Sequence, residues 1–176
     1  MTQEPVSLPP QTLLVGEDQE TLYIRLIGRG SFQISPALKD YATERIAAGK
    51  RRIDVDLDRC VGMDSTFLGT LAGIGLRLWH SGGGALTLRN LVPLTRRQLT
   101  MLGLDQLKTV QLIDRDEAPG PGRLLRPMPA ASPDRQQTTE TMLAAHEDLV
   151  RIDPRNEAEF RDLIEILREK VENPEE

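Results

Sequence analysis

Arg51-Arg52-Ile53-Asp54-Val55-Asp56-Leu57-Asp58-Arg59-Cys60-Val61-Gly62-Met63-Asp64-Ser65-Thr66-Phe67-Leu68-Gly69 carries two periodicities back to back. From Ile53 to Asp58 apolar and acidic residues alternate. Ile53, Val55 and Leu57 therefore share one face of a strand, while Asp54, Asp56 and Asp58 line the other, wet one. Beyond Asp64 and Ser65, either of which can cap a helix, Leu68, Leu71, Ala72, Gly75, Leu78 and Trp79 recur at helical spacing. Gly82-Gly83-Gly84 stops that helix, and the internal glycines Gly69, Gly73 and Gly75 predict close packing against a neighbour.

The same two periods extend outward. Upstream, Leu22, Ile24 and Leu26 alternate with Tyr23 and Arg25 as a half-buried strand, and Leu13 to Val15 is a candidate to pair beside it. Ser35-Pro36 reads as an N-cap followed by a proline at the first helical position. Leu38, Tyr41, Ala42 and Ile46 then share one helical face up to Gly49. Downstream, Ala85 to Arg89 is a short strand, Pro93 to Leu102 a helix closed by Gly103, and Val110 to Ile113 a last strand. Strands alternating with helices predict an α/β fold with a partly parallel, mixed β-sheet. The polar alternate face of several strands places the helices mainly on one side.

Composition narrows the function. The 176 residues hold 22 Lys or Arg and 27 Asp or Glu, a net charge of -5, with 3% aromatics. An acidic balance and few stacking side chains disfavour direct nucleic-acid binding. No run approaches the ~20 apolar residues of a membrane helix, and MTQEPVSLPP at the start resembles no export signal, so membrane insertion is not expected and the expected location is cytoplasmic. Cys60 is the one cysteine, and with His80 and His146 it offers no soft-metal site at ligand spacing.

The chain divides by composition. Residues 1–117 hold the alternating elements. Residues 118–134 contain five prolines and two glycines, a composition that forbids a regular element and reads as a linker. In residues 135–176, Met142, Leu143, His146, Leu149 and Val150 form one apolar stripe. Phe160, Leu163, Ile164, Leu167 and Val171 form another, on a helix begun near Asp153-Pro154 or at Asn156 with Glu159. Such stripes must be buried. Folding back within the chain, on the sheet's open face, is the default expectation. A homodimer through these helices is the next, and a cover over the helix that starts at Ser65 is the third.

The chemistry concentrates at Asp64-Ser65-Thr66, hydroxyls at a helix start directly after a strand. Its simplest role is capping. A phosphate on Ser65 would also be favoured by the helix N-terminus, while placing about -2 charge beside Asp64. Elsewhere, the aspartate row reads as a solvated face paired with Arg25 and Arg89, and the triple glycine lacks the Lys-Ser/Thr of a phosphate loop. His80 ends a helix, His146 lies on an apolar stripe, and neither has a nucleophile partner visible in the sequence, so no catalytic residue or cofactor is expected.

Several features together resemble the STAS domain family, which includes bacterial anti-sigma factor antagonists. They are Gly28 after the second strand, RRIDVDLDRCVGMDS, the Asp64-Ser65-Thr66 helix start, Leu68-Gly69, the glycine turn before ALTLRNL, and LTMLGL before the last strand. The resemblance spans roughly residues 12–114 and implies a STAS-like sheet carrying a C-terminal helical extension. It further implies a regulatory binding protein that docks on an anti-sigma serine kinase, is released by phosphorylation at Ser65, and is reset by a serine phosphatase. Thr66 would be a second available acceptor. Asp64, Ser65, Thr66, Phe67, Leu68, Arg29 and Ser31 would form the partner-binding set. The chain departs from the family pattern at Phe67, where glycine is usual, and at Ser31, where an acidic residue is common. The alternatives are a phosphorylation-independent STAS adaptor in a signalling or transporter-associated complex and, behind it, a small-ligand or nucleotide sensor.

Overall fold

A computed structural model of the chain describes residues 11–115, 124–129 and 131–175. The expected elements appear as β1 (Gln11–Glu17), β2 (Thr21–Gly30), α1 (Ser35–Ala47), β3 (Arg52–Met63), α2 (Ser65–His80), β4 (Ala85–Leu91), α3 (Pro93–Met101) and β5 (Val110–Asp114). β1 and β2 form an antiparallel hairpin whose turn is closed by the Asp18 carboxylate, which accepts the Glu20 and Thr21 N–H groups. β2, β3, β4 and β5 are mutually parallel, and the sheet is mixed as expected.

The Pro/Gly-rich stretch departs from expectation. Arg126–Pro127 form β6, antiparallel to β1, and complete the sheet order β5-β4-β3-β2-β1-β6. The Met128 N–H extends the pairing to the Leu13 carbonyl at 2.8 Å. Proline is tolerated there because an edge strand needs fewer ladder donors. Residues 118–123 and 130 of that stretch lie outside the described residues. The start of α1 also differs: Ile34 occupies the cap position, and the Ser35 hydroxyl donates instead to the Ser31 carbonyl at 2.8 Å.

Strand alternation sorts the side chains as the sequence predicts. Leu22, Ile24, Leu26, Ile53, Val55, Leu57, Leu86 and Leu88 are buried in one core cluster with Leu38, Ala42 and Ile46 of α1, Leu71 and Leu78 of α2, and Leu99 of α3. On the opposite face the aspartate row is engaged by arginines. Arg89 Nε reaches both Asp54 oxygens at 2.7 and 2.9 Å, Arg25 Nε reaches Asp56 at 3.0 Å, and Arg115 Nε reaches Asp58 at 2.9 Å.

The C-terminal stripes are buried within the chain, and not on the open sheet face. α4 (Arg135–Ile152) opens with a capping box between Asp134 and Gln137 and packs along α2, and α5 (Asn156–Glu172) packs on α4. Leu149, Phe160 and Ile164 join the sheet's core cluster. α2 lies between the sheet and α4, and this explains why it is apolar nearly all round. No helix among the described residues is long and apolar enough to cross a membrane.

Candidate functional site

Two long strands build the site. β3 pairs with β4 only as far as Asp56 but stays paired with β2 to Met63 and Gly30, through two register shifts. The paired ends of β2 and β3 thus continue past the end of the β3–β4 ladder and deliver α2 at their tip, where the Asp64 N–H donates to the Gly30 carbonyl at 2.9 Å. Asp64 is the cap, and its carboxylate serves two segments at once. Oδ1 accepts the Phe67 N–H at 2.9 Å, and Oδ2 accepts the Phe32 N–H at 2.8 Å from the turn before α1. The α2 start is therefore tied to the β2–α1 turn.

Ser65, the first residue of α2, meets a partner 81 positions away: its Oγ lies 2.8 Å from His146 Nε2 of α4. His146 Nδ1 lies 2.7 Å from the Met142 carbonyl, which can only accept, so Nδ1 carries the proton and Nε2 accepts the Ser65 hydroxyl. The ring is 1% exposed and meets Phe160 of α5 edge-on, with centroids 4.9 Å apart. Burial pushes the imidazole below its ordinary pKa, against the Met142 carbonyl and the nearby Asp64 charge, which pull it up. The expectation that His146 has no nucleophile partner is thus corrected. The pair resembles half of a hydrolytic triad, but Nδ1 is held by a neutral carbonyl. That fixes the tautomer without supplying the charge that would stabilise an imidazolium.

The remaining sequence-predicted site residues separate. Arg29 is exposed on β2 beside Gly62, and Ser65 and Asp64 are partly exposed. Thr66, Phe67 and Leu68 are buried, so in this conformation they offer a partner neither a second hydroxyl nor an apolar contact. Phe67 is wholly enclosed, and a Cβ built on Gly30 would lie 2.6 Å from its ring. The departure from glycine at Phe67 is therefore accommodated by Gly30 and belongs to the core. Ser31 is also buried, with its hydroxyl bonded to Gln11 and accepting the Gln33 N–H at 3.2 Å, a local turn role. Exposed Phe32 and Val61, which flank the α2 start in this fold, were not singled out by sequence, and neither was the His146 pairing. The stripe containing His146 marked it as facing inward but carried no mark of what it would face.

The His146 environment has a pH consequence. A folded-state pKa below the ordinary value near 6.5 means that the unfolded chain takes up the proton first as pH falls. The contribution of neutral His146 is then fully present above about pH 6.5 and is lost progressively below it. Asp148, whose carboxyl is pushed up by burial, acts with the opposite sign in the carboxylate range, so the two must be separated. Urea midpoints measured from pH 7.5 to 5.5 should fall more steeply for the wild-type chain than for His146→Gln. Parallel curves would show that His146 does not titrate differently on folding.

Residues 13–113 match the family described as Mlab, STAS domain, and the chain belongs to the STAS domain family. No curated protein matches the chain. Among solved structures it is similar to an anti-sigma factor antagonist from Mycobacterium paratuberculosis, at 26% identity and a TM-score of 0.50 over 61% of this chain and 90% of that one. A candidate anti-sigma factor antagonist from Thermotoga maritima shares the fold at 19% identity, TM-score 0.51, over 57% and 84% of the two chains. The unphosphorylated form of the anti-sigma factor antagonist SpoIIAA is matched at 25% identity, TM-score 0.46, over 50% and 80%.

Proposed function

We propose that this chain is an anti-sigma factor antagonist. Residues 1–117 act as the binding domain, residues 118–134 as the connection and residues 135–176 as a helical extension. In its unmodified form the protein docks on an anti-sigma serine kinase through the surface around the α2 start, using Arg29, Asp64 and Ser65 with the exposed Phe32 and Val61. The kinase then phosphorylates Ser65. The bond from the γ-phosphorus of ATP to its bridging oxygen breaks, ADP leaves, a P–O bond forms at Oγ, and the hydroxyl proton passes to a base of the kinase. The new charge beside Asp64 ends docking, and a serine phosphatase restores the hydroxyl. The observation that carries this reading is the placement of Ser65 as the first helical residue after the Asp64 cap, at the tip of the β2–β3 pair, in a STAS domain.

The test combines phosphosite mapping on protein from its own cells with binding of the co-purified kinase. Ser65→Ala should retain binding, while Ser65→Asp should weaken it by about tenfold or more, equivalent to about 1.4 kcal/mol. Equal affinities would refute the switch. They would favour a phosphorylation-independent adaptor, a reading supported by the Ser65 hydroxyl already being committed to His146.

A further inference from the structure

Along Gly69 and Gly73 the contact between α2 and α4 is made of small and polar groups. A Cβ on Gly69 would overlap the Ala145 carbonyl of α4, and one on Gly73 would lie 2.6 Å from the Asp148 carboxylate. The seam also holds Lys39, Arg77 and Thr141 around a cavity of about 30 Å³. Burial of the Asp148 carboxyl in this seam raises its pKa, opposed by Arg151, whose Nη1 lies 2.6 Å from Asp148 Oδ1, and by the Lys39 and Arg77 charges. The Ser65–His146 hydrogen bond crosses the same interface at its functional end. This part of the interface thus differs from the last turn of α4 and from α5, where Leu149 of α4 and Phe160 and Ile164 of α5 enter the core.

We propose that the α2 face bearing Ser65, Gly69 and Gly73 is a helix-docking surface that α4 occupies in cis, so that a partner acting on Ser65 must first displace α4. Resting on the partner-switch reading, this makes the extension an internal competitor, and apparent partner affinity is scaled by the fraction of molecules in which α4 is lifted. A charged group at Ser65 favours the lifted state for two reasons. It cannot donate to Nε2, and it stands against Asp64. The extension is therefore released by the same event that ends docking.

Hydrogen exchange read by mass spectrometry on the full-length chain tests the cover without any partner. In the wild type, peptides from residues 135–152 should exchange about tenfold or more faster than those from β2 and β3, because α4 opens without the sheet. Ser65→Asp and Gly69→Ala should each accelerate α4 by about a further tenfold while β2 and β3 keep their protection. Gly73→Ala should match the wild type, because the Asp148 carboxylate can swing aside where the Ala145 backbone cannot. Exchange of α4 together with β3 as one unit in the wild type, or an unchanged α4 in Ser65→Asp, would overturn the proposal. Ser65→Asp keeps the test decisive where Gly69→Ala fails to fold, and sheet protection reports the difference. Ser65→Ala and Ser65→Asp both lose the hydroxyl that donates to Nε2 and so both lift α4, and their comparison isolates the charge: equal partner binding by these two would defeat the switch reading alone, because the exchange result requires no partner.

Discussion

Phe67→Ala is expected to lower the stability of this protein by about 3–5 kcal/mol, the range for removing a fully buried aromatic side chain. The ring is 0% exposed and fills the space left by Gly30, while its own N–H is held by the Asp64 cap. Truncation would open a cavity directly beneath the first turn of α2, where the neighbouring segments are themselves anchored. The loss should appear as a lower urea midpoint with an unchanged slope, and it is large against a total stability of about 5–15 kcal/mol. Phe67→Leu should lose much less because it refills most of the volume. A loss below about 1 kcal/mol in Phe67→Ala would show that the site collapses freely and that the ring does not set the position of α2.

Asn156→Leu should cost about 2–4 kcal/mol, because it removes two hydrogen bonds and leaves their acceptors buried. The Asn156 amide donates to the Leu102 carbonyl at 2.9 Å and to the Leu149 carbonyl at 2.8 Å. One side chain thereby pins the α4–α5 turn both to itself and to the end of α3. Leucine has a similar volume, so the effect isolates the lost donors from any cavity. The drop should be read by urea unfolding, where Asn156→Asp should fall comparably because it keeps the shape and one acceptor-rich end but loses the amide donors. A change below about 0.5 kcal/mol would mean that the Leu102 carbonyl finds water, that the Asp153 N–H suffices for the Leu149 carbonyl, and that the pin is idle.

These two residues mark what was and was not legible in the chain. The strand at residues 52–58 and the helix after Asp64 were readable because face and period are local: a side chain two residues along a strand, or four along a helix, returns to the same side. The inward faces of α4 and α5 followed from the same rule and a partly parallel sheet from the alternation of strands with helices, whereas the cap was narrowed only to Asp64 or Ser65 and the strand order was not legible. The close packing announced by Gly69, Gly73 and Gly75 was also readable, although its partners were not. At Ser65 the motif located the hydroxyl and left open what would hold it.

Pairing across distance was decided by the tertiary structure. Ser65 finds His146, Gly30 makes room for Phe67, Asn156 closes on Leu102, and Arg126–Pro127 join β1 although their surroundings are rich in proline and glycine. In each case the sequence by itself determined that a face was apolar, a hydroxyl available or a backbone unable to continue a helix. It did not determine the complement, because periodicity specifies which side of an element is buried while the identity of the covering residue depends on where the chain returns. The physical reason is that burial is additive and local in pattern, whereas a hydrogen bond such as that between Ser65 and His146 exists only when two separately folded elements arrive within 3 Å of one another in the right tautomer.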